Sequence, residues 1–176
     1  MIYYAHTAED DDGNRLPEKY WQLLSVHLRN VAKLAKRFAE PLGLATEAEL
    51  AGLLHDLGKY ADRFQQRLHN AAIRGINHWA AGAAHATTLK AWAVAFAADG
   101  HHTGIPALHD GESGIPLKAT AANFADPSRR LELTGQCPED ATTLFDRFKA
   151  DGLSLPSFSP RPVAKEKWFE EALRAR

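Results

Sequence analysis

Apolar residues recur every three or four positions from Tyr20 onward, and that spacing confines the chain to packed helices. Tyr20, Leu24, Leu28, Val31, Leu34, Ala35 and Phe38 fall on one face of a helix over residues 17–39, stopped by Pro41-Leu42-Gly43. Thr46 and Glu49 form a capping box for a second helix carrying Leu50, Leu53, Leu54 and Leu57, with Gly58 placed to end it. A third begins near Tyr60, turns Phe64, Leu68 and Ala71 or Ala72 inward, and fades toward Gly75. An alanine-rich fourth covers residues 78–98 and is closed by Asp99-Gly100. Beyond His101-His102, Gly104, Pro106, Gly111, Gly114 and Pro116 make a long loop that cannot be regular helix or sheet. Shorter helical patterns return over residues 118–124, 140–150 and 164–176, with a Pro- and Ser-containing segment at 153–162. Residues 2–4 are the one candidate strand. The expected class is all-α, with residues 1–176 as a single domain.

Composition narrows the function. A chain of 176 residues, 45% hydrophobic, buries roughly 70% of its unfolded surface and needs no disulfide to hold its core. Its one cysteine, Cys137, fits a reducing compartment. A net charge of −1 gives no global attraction for polyanions, so any such binding must come from a local patch or a bound metal. The N-terminus lacks a basic region followed by an apolar stretch, and the densest apolar run, residues 91–98, is too short for a bilayer. The chain therefore reads as cytoplasmic, with no membrane partner. Nine histidines are the outlier.

Several of these histidines interrupt apolar faces. His27 sits among Leu24, Leu28 and Val31, and His55-Asp56 interrupts Leu53-Leu54-x-x-Leu57. Each group costs several kcal/mol in lost hydration when buried unpaired, about 2–7 for a neutral polar group and far more for a charge. One backbone carbonyl satisfies a buried imidazole, which for His27 alone is the simpler account. Asp56 needs a cation, and Lys59 is the only nearby basic residue in sequence. A metal meets the need of all of them together. Imidazole nitrogens with one carboxylate suit Mn, Fe, Co, Ni or Zn in preference to Mg, and the two oxygens of one aspartate can bridge two ions.

The ordered set His27, His55-Asp56, His78 and His101-His102 resembles the HD phosphohydrolase superfamily. More closely it is similar to the HD nuclease domain of the type I CRISPR-associated helicase-nuclease. Tyr4-Ala5-His6, the stretch from His27 to Ala35, Ala51-Gly52-Leu53-Leu54-His55-Asp56-Leu57-Gly58-Lys59 with Phe64-Gln65, Asn77-His78-x-x-Ala81-Gly82-Ala83, and His101-His102-x-Gly104-Ile105-Pro106 carry the likeness. The resemblance implies a helical bundle and two divalent transition-metal ions. It makes His27, His55 and Asp56 ligands of one ion and His78, His101 and His102 ligands of the other, with Asp56 bridging. Lys59 then sits beside the site facing the phosphate, and Asp56 and Lys59 are the catalytic candidates. The family also places an aspartate on a late apolar helix. Here Glu170 to Arg176 resembles only the start of that helix, which implies a missing last helix and a weakened first metal site. None of Asp126, Asp140, Asp146 or Asp151 lies in the expected context.

Two ions about 3.5 to 4 Å apart activate a bridging water and stabilise both oxygens of an in-line displacement at phosphorus. The implied activity is that of a metal-dependent nuclease cutting single-stranded DNA exposed by a guide-RNA surveillance complex, with a helicase domain or subunit as motor. No phosphate-binding loop of the Gly-rich Lys-Ser or Lys-Thr type occurs in this chain. Arg63, Arg67 and Arg74, spaced along the third helix, are candidates for tracking phosphates, set against a plain solvated face. Two alternatives differ in class: a nucleotide or cyclic-dinucleotide phosphohydrolase, and an inactive, metal-depleted helical module. Thr103-Gly104-Ile105-Pro106 lacks the Gly-Tyr-Pro signature of the cyclic-dinucleotide branch. Trp21, Trp79, Trp92 and Trp168 read as core, His85 as a neighbour of His78, and His69 and His109 as surface groups. His6 matches a family position but has no derivable ligand role.

Overall fold

In the computed structural model, which describes residues 1–102, 104 and 116–160, helices dominate. Helix α1 (Leu24–Ala39) buries Leu24, Leu28 and Ala32 against Leu50, Leu53 and Leu54 of α2 (Ala45–Leu54). This is the most extensive helix contact among the described residues. A two-stranded antiparallel sheet precedes it, with Tyr4 of β1 (Tyr4–His6) opposite Leu23 of β2 (Gln22–Leu23) and His6 opposite Gln22. The first helix therefore starts at Leu24 and not at residue 17. Residues 18–20 form a single 3-10 turn, and strand pairing overrides the helical spacing that Tyr20 shares with Leu24. Tyr20, Leu34 and Phe38, all expected inward, are exposed.

The expected capping box of α2 does not form. Leu44 is its N-cap without a side-chain bond, and Glu49 reaches Lys36 of α1 at 2.7 Å instead. After Leu54 the chain makes a 3-10 turn (Leu57–Tyr60), so Gly58 lies inside a new turn and does not end the helix. Helix α3 (Asp62–His69) buries Phe64 and Leu68 and stops before the exposed Ala71 and Ala72.

The long fourth helix is two: α4 (Ala80–Thr88) and α5 (Trp92–Gly100), parted where Lys90 takes φ 55°. Thr87 and Thr88 donate their hydroxyls back to Ala84 and His85 carbonyls at 2.7 Å each, a local bonding that competes with helix continuation. Helix α6 (Pro116–Ala125) and α8 (Ala141–Ala150) match two of the shorter patterns. Between them α7 (Pro127–Thr134) was not expected, although its signals are complete. Asp126 accepts from the Ser128 and Arg129 N–H groups, Pro127 opens it, and Gly135 closes it at φ 67°.

Tyr60, Phe148, Leu24, Leu28, Leu50, Leu54, Leu57, Leu144 and Val94 make the fully buried centre. Helix α4 contributes almost nothing larger than alanine to it, which lets its backbone approach closely. At Gly82 a Cβ would collide with the Leu54 carbonyl. That crossing sets α4 against the end of α2, where His55 and Asp56 follow. No helix among the described residues is long and apolar enough to cross a membrane. Most of the loop after the His pair with His109, and the final pattern at 164–176 with Trp168, lie outside the described residues.

Candidate metal centre

Asp56 follows α2 in a turn walled by Leu54 and Leu57, and its side chain is 3% exposed. Its neighbour His55 and three other segments bring imidazoles to it. His27 projects from the first turns of α1, and His55 caps α2. His78 precedes α4, and His101 caps α5 with His102 next to it.

The donors divide between the two carboxylate oxygens. Around Oδ2 stand Lys59 Nζ at 2.9 Å, His27 Nε2 at 3.0 Å and His55 Nε2 at 3.1 Å. Around Oδ1 stand His78 Nε2 at 3.3 Å and His101 Nε2 at 3.5 Å. His102 Nε2 lies 2.8 Å from His78 Nε2.

Helix ends orient two of these rings. His55 Nδ1 donates to the Gly52 carbonyl at 2.9 Å, and His101 Nδ1 to the Ala98 carbonyl at 2.7 Å, each three residues back. A carbonyl only accepts, so Nδ1 carries the hydrogen and the neutral ring turns its Nε2 lone pair toward Asp56. Burial lowers the His78 and His102 pKa values, favouring neutral, ligand-competent rings. For Asp56 burial pushes upward, but the side chains gathered around it, His101, His27, His55 and His78, outweigh that and hold the carboxyl well below the usual range.

The balance of partners is uneven. Lys59, 4% exposed, supplies a cation at Oδ2 and also donates to the Ala5 carbonyl at 3.3 Å. Asp56 Oδ1 is buried without a hydrogen-bond partner. An unsatisfied buried oxygen costs about 1–3 kcal/mol, more when charged. A divalent ion held by Asp56, His78, His101 and His102 would remove that cost, and one donor atom from each of the four lies within 4.8 Å of the others. The mixed nitrogen and oxygen set suits a first-row transition metal. The HD domain family pattern matches residues 24–141, from the start of α1 to the start of α8.

The chain belongs to the HD domain family. A comparison with curated proteins finds no match. Membership in the HD domain family, with the clustered donors, supports metal-dependent phosphohydrolase chemistry. In this HD domain the five expected histidine ligands and Lys59 all gather around the carboxylate of the sixth, Asp56. Sequence reasoning left out His6, which the short sheet brings to the same place. Its Nε2 lies 3.4 Å from Lys59 Nζ, its ring stands edge-on to His27 at 5.0 Å, and its donor atom groups with those of His27 and Asp56 within 4.8 Å. The Tyr4-Ala5-His6 likeness was the available signal.

Other expectations resolve differently. Trp79 packs its ring against His102 at 5.3 Å, at the edge of the centre and not in the core. His85 stacks on Phe145 at 4.3 Å, away from His78. His69 meets Glu18 at 3.5 Å on the surface. Arg63 is half-buried, with Nε unpartnered, and only Arg63 and Arg67 lie on α3. Arg74 falls beyond its end. Asp126 and Asp140 cap helices, Asp146 pairs with Lys149, and Asp151 accepts from Tyr60, so none reaches the metal centre.

Proposed function

We propose that this HD domain hydrolyses phosphodiester bonds of single-stranded DNA with two divalent transition-metal ions, as the nuclease part of type I CRISPR interference. The observation that carries the metal-dependent reading is the buried, unpartnered Asp56 Oδ1 facing the nitrogens of His78, His101 and His102. Support for the finer reading comes from the ordered motifs that resemble the helicase-nuclease HD domain.

Asp56 and Lys59 are the residues that act nearest the reaction. His78, His101 and His102 with Asp56 would hold one ion, and His27 and His55 with Asp56 would hold the other. Metal ions held by these residues would supply an activated water and charge stabilisation at phosphorus. Asp56 stays ionised and fixes both donor sets relative to each other. Lys59, anchored by Asp56 and the Ala5 carbonyl, keeps a positive charge beside Oδ2, facing the substrate phosphate. Because Lys59 already serves Oδ2 while Oδ1 is unpartnered, the set with His78, His101 and His102 would take the ion that binds more tightly. A helicase domain or subunit and a guide-RNA surveillance complex deliver the strand.

Incubation with single-stranded DNA, nucleoside triphosphates and cyclic dinucleotides, each with Mn, Fe, Co, Ni, Zn or Mg, tests the reading. The expected result is cleavage of the DNA alone, lost in Asp56→Asn. Turnover of nucleotides in place of DNA moves the chain to the nucleotide-hydrolase class. No turnover and no metal uptake leave only a helical module.

A further inference from the structure

A pocket of about 450 Å³ is lined by Thr7, Arg15, Arg67, Leu68, Arg74 and Gly75. Its three arginines come from three separate segments: the isolated bridge of Arg15 with Glu9, helix α3 with Arg67, and the irregular stretch after α3 with Arg74. Arg15 is held in place by stacking over the Trp21 ring at 4.7 Å, and Trp21 is buried with its indole N–H donated to the Leu16 carbonyl at 2.8 Å. Among the described residues no carboxylate forms an ion pair with any of the three arginines. Three like charges lining one concavity repel one another, and a bound anion offsets that repulsion.

Chain connectivity ties the pocket to the metal centre at both ends. Thr7 follows His6 directly. Gly75 precedes His78 by three residues, a span of at most about 11 Å. Arg67 is one turn of α3 beyond Phe64, whose ring stands edge-on to His78 at 5.2 Å. Arg67 and Arg74 are exposed, so a strand can lie across them without threading.

We propose that Arg15, Arg67 and Arg74 form a subsite for a second phosphate of the substrate, an internucleotide phosphate other than the one hydrolysed. The subsite rests on the phosphodiesterase reading and specifies it: the substrate is a strand, and the forked guanidinium groups set how it enters. Arginine suits this task because its planar donors match phosphate oxygens in pairs.

Fluorescence anisotropy of a labelled single-stranded oligonucleotide tests the subsite, with chelator present so that the strand is not cut. Arg67→Gln and Arg74→Gln are each expected to weaken binding about tenfold at low salt and to reduce the slope of log affinity against log salt by about 0.7. Arg15→Gln adds a third, checked by thermal melting because Arg15 also packs on Trp21. Lys90→Gln, an exposed cation outside the pocket, is expected to leave the slope unchanged. Unaltered affinity and slope in Arg67→Gln and Arg74→Gln overturn the subsite. Arginine-dependent binding of dATP without binding of the oligonucleotide overturns it as well. Hydrolysis of bis(p-nitrophenyl) phosphate, which carries one phosphate, is read in parallel: its absence from the metal-loaded wild type counts against the phosphodiesterase reading and leaves the binding result to judge the pocket.

Discussion

Gly58 donates its backbone N–H to the His78 carbonyl at 3.0 Å, and no Cβ fits between the two segments. The contact joins the turn that follows Asp56 to the residue that faces Oδ1, so a glycine sets the spacing of two site elements. Gly58→Ala pushes the His78 backbone away. The expected cost is about 1–3 kcal/mol of stability, together with a smaller rise in melting temperature on adding Mn than the wild type shows. A melt with and without metal measures both.

Tyr60, fully buried, donates its hydroxyl to Asp151 Oδ2 at 2.9 Å and packs edge-on to Phe148. Tyr60→Phe keeps the packing and removes the bond. A loss of about 1 kcal/mol is expected, lowering the melting temperature by about 2–4 °C with metal affinity unchanged.

Cys137 is 4% exposed, and burial, with Glu139 nearby, pushes its thiol up to about 11. A disulfide-exchange reagent at pH 8 is expected to label it slowly in the folded chain and rapidly in denaturant.

The helices with the most regular apolar spacing were readable from sequence: Leu24, Leu28, Leu50 and Leu54 meet as their spacing predicts. The centre was readable because polar residues on apolar faces demand partners, and the ordered histidines supply them. Three features were not. The residues 17–23 segment carries helical spacing, but it makes one 3-10 turn and then pairs Gln22 and Leu23 with a distant strand. The break at Lys90 has no glycine or proline to announce it. The pocket of Arg15, Arg67 and Arg74 is assembled by the fold from segments whose separation conceals it, and a one-helix reading missed Arg15 altogether.

Acid is expected to destabilise the metal-free chain. Burial, and then Lys59, push His6 down to about 4, and burial lowers His78 and His102. Free histidine titrates near 6.5, so below that pH the unfolded chain takes up protons that the folded chain refuses, and stability falls with pH. Asp56 stays ionised across this window and adds nothing to the change. The melting temperature in chelator is therefore expected to drop steadily from pH 7 to pH 5, flattening near pH 4 as His6 titrates. Metal affinity falls over the same range, because protons and ions compete for the same nitrogens. A melting temperature that stays constant from pH 7 to pH 5 contradicts this.

The most direct test of Asp56 as a bridge between two donor sets is calorimetric titration of the chelator-stripped chain with Mn. The wild type is expected to show two unequal binding events. His101→Ala should remove the tighter event, His27→Ala the weaker, and Asp56→Ala both. A chain that binds no divalent ion, or one in which His101→Ala and His27→Ala abolish the same single event, contradicts the account.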